Sequence, residues 1–145
     1  MPIDHHGLEC GCGGVDHWEA YCSGNRMPQM SRKLYGEEFE NSLELFEEYE
    51  NGGDRADKAI EKMQELNAKG FTNIVDLFNP EVVWLGGAVA LNHYETVVEE
   101  VLDDVSRQIV NEMPQFDKCS LGNEAVIHGL RAVCNGKFRT QNSTH

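Results

Sequence analysis

Asn79-Pro80-Glu81-Val82-Val83-Trp84-Leu85-Gly86-Gly87 is the stretch that decides the fold class. Four apolar residues run without a break between a proline and a glycine pair. Four residues are too few for a core helix, and two of them are β-branched, so the run reads as a buried strand. Asn79-Pro80 also marks the end of whatever precedes it.

Upstream, Ile60, Met63, Leu66, Phe71, Ile74, Val75 and Phe78 recur at helical spacing, predicting a long helix from about Arg55 to Phe78. Gly70 lies inside it, where a glycine costs about 1 kcal/mol relative to alanine. Close packing against another backbone would account for its presence. Downstream, Val97, Val101, Val105, Ile109 and Val110 predict a helix from about Tyr94 to Asn111, all five facing inward. Phe116 to Ser120 reads as a second strand, and Glu124 to Asn135 as a last helix closed by Gly136. The order strand, helix, strand with covering helices is a right-handed βαβ unit, so the chain is α/β. Two parallel strands are too few for a stable sheet. The remaining strands either lie within 3–39, which carries few strand signals, or belong to another polypeptide.

The N-terminal part is less regular. Asn41 to Tyr49 reads as a helix and Asn51-Gly52-Gly53-Asp54 as a break. Met27 to Phe39 has mixed signals. Met1 to about Val15 reads as loop, Asp16 to Cys22 as a short helical turn ended by Ser23-Gly24, and 137–145 as a flexible polar tail. No repeat or low-complexity segment interrupts the chain.

The loop contains Cys10-Gly11-Cys12-Gly13-Gly14-Val15-Asp16-His17-Trp18-Glu19. Thiolates and neutral imidazoles are the ligands zinc prefers, and glycines let a tight loop wrap one ion. Cys10, Cys12 and His17 are therefore candidate ligands of a structural zinc. His5 or His6 could supply a fourth, or a water could. The bland alternatives are a metal-free glycine-rich loop and two solvated histidines. Cys22, Cys119 and Cys134 are scattered, and five cysteines is an odd count. The set suits a reduced, cytoplasmic protein better than a disulfide framework. Cys119 and Cys134 read as small buried hydrophobes.

With 25 acidic residues against 12 basic ones, the formal charge is −13. This disfavours nucleic acid and anionic membranes, since phosphate binding needs a basic patch. It fits either a halophilic protein, whose self-repulsion is screened by salt, or an ordinary acidic one. No apolar run of about 18 residues occurs, so no membrane span is expected.

Three motifs, in order, resemble the C-terminal half of ROK-family (repressor, open reading frame, kinase) sugar kinases, the archaeal glucokinase-like members above all. Cys10 to Glu19 matches the pattern C-x-C-G-x-x-G-C-x-E, with Ser23-Gly24 following. Asp16 departs from its glycine and His17 from its third cysteine. Asn79 to Asn92 is similar to the "NPEVIVLGG" segment, and Leu121-Gly122-Asn123-Glu124-Ala125 with Gly129 to the closing "LGD" helix. The resemblance implies an actin/hexokinase-like (ribonuclease-H-like) fold and transfer of the ATP γ-phosphoryl group, with magnesium, to a hexose such as glucose. It implies that Glu19 accepts bonds from sugar hydroxyls, and that Gly86, Gly87 and Gly122 lie on the adenosine side. The alternatives are a solvated glutamate and plain turns.

In this family a catalytic aspartate and an Asp-x-Gly-x-Thr phosphate loop precede the cysteine motif, and neither stands ahead of it here. The family's Gly-His ahead of the loop is also lacking, as though the chain began just after it. The expectation is one partial C-terminal domain over 1–136, with a zinc-loop region at 1–25. A mis-called start, a frameshift or a split gene would each produce such a chain. It should be inactive alone and expose an apolar edge that favours a homodimer. Two rivals remain: a non-catalytic half-enzyme completing a separately encoded N-terminal half, and a stand-alone zinc-binding module. A repressor role is disfavoured by the acidity and by the lack of a helix-turn-helix.

Overall fold

A computed structural model describes residues 1–134. The expected Gly136 stop and the tail 137–145 lie outside the described residues. The elements run α1 (Trp18–Cys22), α2 (Met27–Tyr35), α3 (Ser42–Glu50), α4 (Asp54–Phe78), β1 (Val82–Leu85), α5 (Ala88–Asn92), α6 (Tyr94–Val97), α7 (Leu102–Gln108), β2 (Gln115–Lys118) and α8 (Ala125–Cys134). Single 3₁₀ turns precede α7 and α8.

The long helix α4 is the spine. Ala59, Ile60, Met63 and Leu66 are wholly buried along it, and α1, α2, α3 and α7 pack around it. Its apolar residues repeat at three and four positions, so one broad face is covered while Lys58, Glu61 and Glu65 remain at the surface. Asn79, in a left-handed conformation, stops it. Gly70 departs from the backbone-packing expectation: it faces a side chain. A Cβ there would lie 2.5 Å from the Trp18 indole.

The helix α2 is an addition to the sequence reading. Pro28 looks like a breaker, yet it stands in the first turn, where no intrahelical N–H is needed. Met27 and Met30, one turn apart, are fully buried, and Gly36 closes the helix. In α3 the Asn41 side chain accepts from the Glu44 N–H at 3.0 Å. The Glu44 carboxylate in turn accepts from the Glu40 N–H at 2.6 Å.

The single helix expected over 94–111 is broken. Val97, Val98, Val101 and Val105 are all buried. A 3₁₀ turn at Glu99–Val101 aligns positions three apart, which brings Val98 and Val101 onto one side. Helix α7 ends at Gln108, and Val110 is 86% exposed rather than inward. The chain is drawn off there to finish α4: the Val110 N–H donates to Asp76 at 2.9 Å, and the Asn111 amide to the Val75 carbonyl at 3.1 Å.

Strands β1 and β2 pair in parallel, Val82 with Gln115 through Leu85 with Lys118. The expected strand order is present, with β2 starting and ending slightly earlier. The expectation of a buried strand is corrected. Trp84 is 61% exposed and its neighbours on β1 are only half-buried, since among the described residues the sheet has just two strands. Cys119 is only half-buried and Cys134 is exposed, so neither is the core residue expected. Helix α8 buries none of its residues. No described helix is long and apolar enough to cross a membrane.

Candidate functional site

The N-terminal loop is folded back on itself by antiparallel bridges, Pro2 with His17 and Glu9 with Val15. Inside it, the Cys10 N–H donates to the Gly14 carbonyl at 2.8 Å and the Gly13 N–H to the Cys10 carbonyl at 3.0 Å. Asp16 organises the loop. Its φ is +58°, a conformation aspartate tolerates better than most residues. Its carboxylate accepts from the N–H groups of Gly7 (2.7 Å) and Leu8 (3.0 Å) and from the Tyr21 hydroxyl. Burial favours its neutral form, yet the Tyr21 hydroxyl and the two N–H groups outweigh this and hold the carboxyl below its usual range. Burial and that same carboxylate push the Tyr21 phenol well up. The substitution that departs from the resembled motif thus replaces a glycine's conformational freedom with three hydrogen bonds.

This fold gathers Cys10, Cys12 and His17, whose ligand atoms all lie within 4.8 Å of one another. Cys12 Sγ is 3.1 Å from His17 Nδ1, and Cys10 Sγ is 3.6 Å from the Glu19 carboxylate. Gly14 makes room: a Cβ there would lie 2.4 Å from the His17 ring. The Cys12 backbone N–H favours the Cys10 thiolate, but burial, the Cys12 sulfur and Glu19 together leave its thiol raised. The Gly14 N–H and the Cys10 thiol lower Cys12. Two sulfurs and one imidazole around one point fit a tetrahedral zinc with a fourth position open. His5 and His6 lie in a different cluster. They stack on each other at 4.7 Å and face Asp4, whose carboxylate is 2.9 Å from Lys62 Nζ.

The last turn of the loop feeds α1, which carries Glu19 into an open cleft of about 1020 Å³. Trp18 anchors that turn. Its Nε1 donates to Asn67 at 2.8 Å, and its ring meets Phe71 edge-on at 5.3 Å. Asn67, 3% exposed, passes its amide on to the Val97 carbonyl at 3.1 Å. Gly86 and Gly87 line the same cleft as Glu19. Gly87 has φ +92°, a backbone only glycine adopts without strain. Gly122 lies outside the cleft lining. It sits in the turn after β2, three residues beyond Cys119, which itself faces Gly86 across the C-terminal end of the sheet. The sequence reading passed over Arg26 and Gln29, which also line the cleft. The available signal was a basic residue just after Ser23-Gly24 in so acidic a chain. Cys22 also lines it, but burial pushes its thiol far up.

Comparison with known proteins agrees with this geometry. A family model described as ROK family matches residues 1–136. A glucokinase of Pyrobaculum calidifontis is 27% identical over 124 residues, covering 86% of this chain and 42% of its own length. An N-acetyl-D-glucosamine kinase of Aliivibrio fischeri is 29% identical over 139 residues, covering 89% and 45%. The chain therefore spans less than half the length of these relatives. Among solved structures, a ROK hexokinase from Thermus thermophilus superposes with a TM-score of 0.78 at 28% identity, over 94% of this chain and 47% of that one. A glucokinase from Streptomyces griseus, solved with glucose and AMPPNP, gives 0.70 at 20% identity, over 92% and 49%.

Proposed function

Because the chain belongs to the ROK family, we propose that it forms the C-terminal, sugar- and nucleotide-facing part of an ATP-dependent hexose kinase of glucokinase type. One observation carries the reading: Glu19 and the Gly86-Gly87 pair, far apart in sequence, line a single cleft. Glu19 is exposed there and free to accept from adjacent sugar hydroxyls, as a carboxylate can from two at once. Gly86 and Gly87 follow a strand at its C-terminal end, where an open α/β sheet lets a ligand approach the backbone. Cys10, Cys12 and His17 would hold a structural zinc that fixes the turn presenting Glu19. ATP with magnesium supplies the transferred phosphoryl group.

Among the described residues lining the cleft, Glu19 is the one carboxylate, and it is assigned to holding the sugar, which leaves no second acid to act as base or to hold magnesium. Phosphoryl transfer depends on positioning and charge stabilisation. The expectation is that the 145-residue chain does not turn over a sugar by itself. A second observation favours its acting with a further polypeptide. Trp84 on β1, Phe78 at the end of α4 and Ile127 and Leu130 on α8 are each more than half exposed, and among the described residues the sheet has only two strands. A separately supplied N-terminal half would cover them.

The test is a coupled assay of ATP-dependent phosphorylation of glucose and N-acetylglucosamine, alongside calorimetric titration with each sugar. The chain alone should bind one of these sugars without turning it over, and turnover should appear when an N-terminal ROK half is co-expressed. Turnover by the chain alone at the rate of a complete kinase refutes the incomplete-site reading. Lack of sugar binding, with or without the second half, refutes the sugar reading.

A further inference from the structure

We propose that Arg26 is the phosphate-contacting residue of this cleft, taking an oxyanion of the nucleotide's terminal phosphate or of the phosphorylated sugar. The proposal rests on the kinase reading above and adds a residue that it did not contain. Among the residues lining the cleft, Arg26 alone is cationic. Its placement is set by one hydrogen bond. Nη1 donates to the Gln29 side chain at 2.7 Å, one turn ahead in α2. Its other terminus and the Glu19 carboxylate both border Gly11, without pairing: a Cβ on Gly11 would lie 3.8 Å from Arg26 Nη2 and 3.7 Å from Glu19 Oε1. The cation therefore stands beside the carboxylate assigned to the sugar, where a group being transferred to a sugar hydroxyl must pass.

The remaining donors of Arg26 are uncommitted; Lys58 and Arg131 also make no ion pair within the described residues, but of these only Arg26 lines the cleft. Arg32 pairs with Glu38 at 3.3 Å, Arg55 with Glu48 at 2.9 Å, and Arg107 with Asp104. Arg26 forms no ion pair within the described residues, although Glu19 is close by. With acids twice as numerous as bases, a guanidinium left without a carboxylate at the mouth of an open cleft has its charge available to a ligand. Its planar fork suits the two oxygens of a phosphate, and in a chain of charge −13 it offsets the field that would otherwise repel an anion. No bond is made or broken by Arg26. It binds and orients the group that moves.

The experiment is calorimetric titration of the 145-residue chain with two matched pairs: adenosine and ATP with magnesium, and glucose and glucose 6-phosphate. R26Q and R26K are titrated in parallel after circular dichroism has confirmed their fold. The expected result is that at least one phosphate-bearing ligand binds more tightly than its neutral partner. R26Q should weaken that ligand about ten-fold or more, R26K less, with glucose affinity unchanged. The pair that responds identifies the source of the phosphate. In the unaltered chain, raising sodium chloride should erode the same advantage and leave glucose binding alone. The proposal is overturned if no phosphate-bearing ligand gains over its neutral partner, or if the gain survives R26Q. If glucose still binds in those cases, the kinase reading stands without this residue. If no sugar or nucleotide binds at all, both fall together.

Discussion

Replacing Gly70 by alanine tests whether the α4 spine positions the site. In an open helix this change would stabilise by about 1 kcal/mol, because glycine is the poorer helix former. Here the new Cβ would lie 2.5–2.6 Å from three atoms of the Trp18 ring, a distance that only movement of the indole can relieve. Forcing a methyl into packed surroundings costs about 1–3 kcal/mol. Trp18 also donates to the buried Asn67 oxygen, and leaving that acceptor unpaired costs about 1–3 kcal/mol more. Set against the propensity gain, G70A should lose about 1–5 kcal/mol, or roughly 3–20 °C in Tm for a chain of this size. Thermal unfolding followed by far-ultraviolet circular dichroism reads the loss. Tryptophan fluorescence in a W84F background isolates Trp18, whose emission should shift. Because Trp18 adjoins Glu19, sugar affinity should fall at temperatures where the variant is still folded. A variant as stable as the parent or more so, with unchanged Trp18 emission, would refute the claim that the indole lies against the helix backbone.

C12S and H17A should each abolish stoichiometric zinc measured by atomic absorption, whereas the double variant H5A/H6A should retain it, since those histidines face Asp4. E19Q should weaken glucose binding by ten-fold or more in calorimetry while leaving zinc content unchanged, because it is assigned to the sugar. The Asp4–Lys62 pair gives a pH signature. Burial favours neutral Asp4, but its bond to Lys62 prevails and lowers its carboxyl. A carboxyl depressed on folding contributes stability that is present above about pH 4, the unfolded value, and lost as pH falls through the folded one. Lys62 is raised: burial works against its charge, but bonds to Asp4 and Glu65 prevail. Its contribution is present below about pH 10 and lost as pH rises through the folded value. K62M should therefore flatten the acid limb of a Tm-against-pH curve and cost about 3 kcal/mol near neutrality by stranding a buried carboxylate. The pair D4N/K62M should cost less than K62M alone.

The helix–strand–helix–strand order, the long α4 and the grouping of Cys10, Cys12 and His17 were legible because each rests on local pattern: apolar spacing, a proline stop, ligands within eight positions. Helix α2 was not legible because Pro28 signals a break in composition and a start in position, and only the packed partners of Met27 and Met30 decide between them. The break at Val98 was hidden for the opposite reason. A row of valines satisfies a helical period whether or not the helix is continuous, so the 3₁₀ turn at Glu99–Val101 leaves no mark in the pattern. That Glu19 and Gly86 share a cleft could be inferred only through family resemblance, since some 67 positions separate them. Arg26 carries no periodic or motif signal. Its interest lies in a partner it lacks, which only the fold displays.

The two ends of the cleft are held to one frame by a single buried amide. The Trp18 indole fixes α1, and hence Glu19, to Asn67 at 2.8 Å, and the Asn67 amide fixes the Val97 carbonyl at 3.1 Å. Val97 closes α6, shortly beyond the α5 that follows Gly86-Gly87. Donor and acceptor are both used, so Asn67 cannot be replaced by a purely apolar or a purely acidic side chain without stranding one partner. N67L removes both bonds at similar volume, and N67D keeps the bond to Trp18 while opposing a carbonyl with a carboxylate. If the amide only stabilises the core, both variants should lower Tm and leave ligand affinities intact in the folded fraction. If it sets the spacing between the sugar and nucleotide ends, N67D should keep glucose binding through Glu19 yet lose nucleotide binding. N67L should lose both. That split, read by calorimetry below the unfolding transition, separates a core contact from a strut of the site. The two-sided bonding of Asn67 favours the strut.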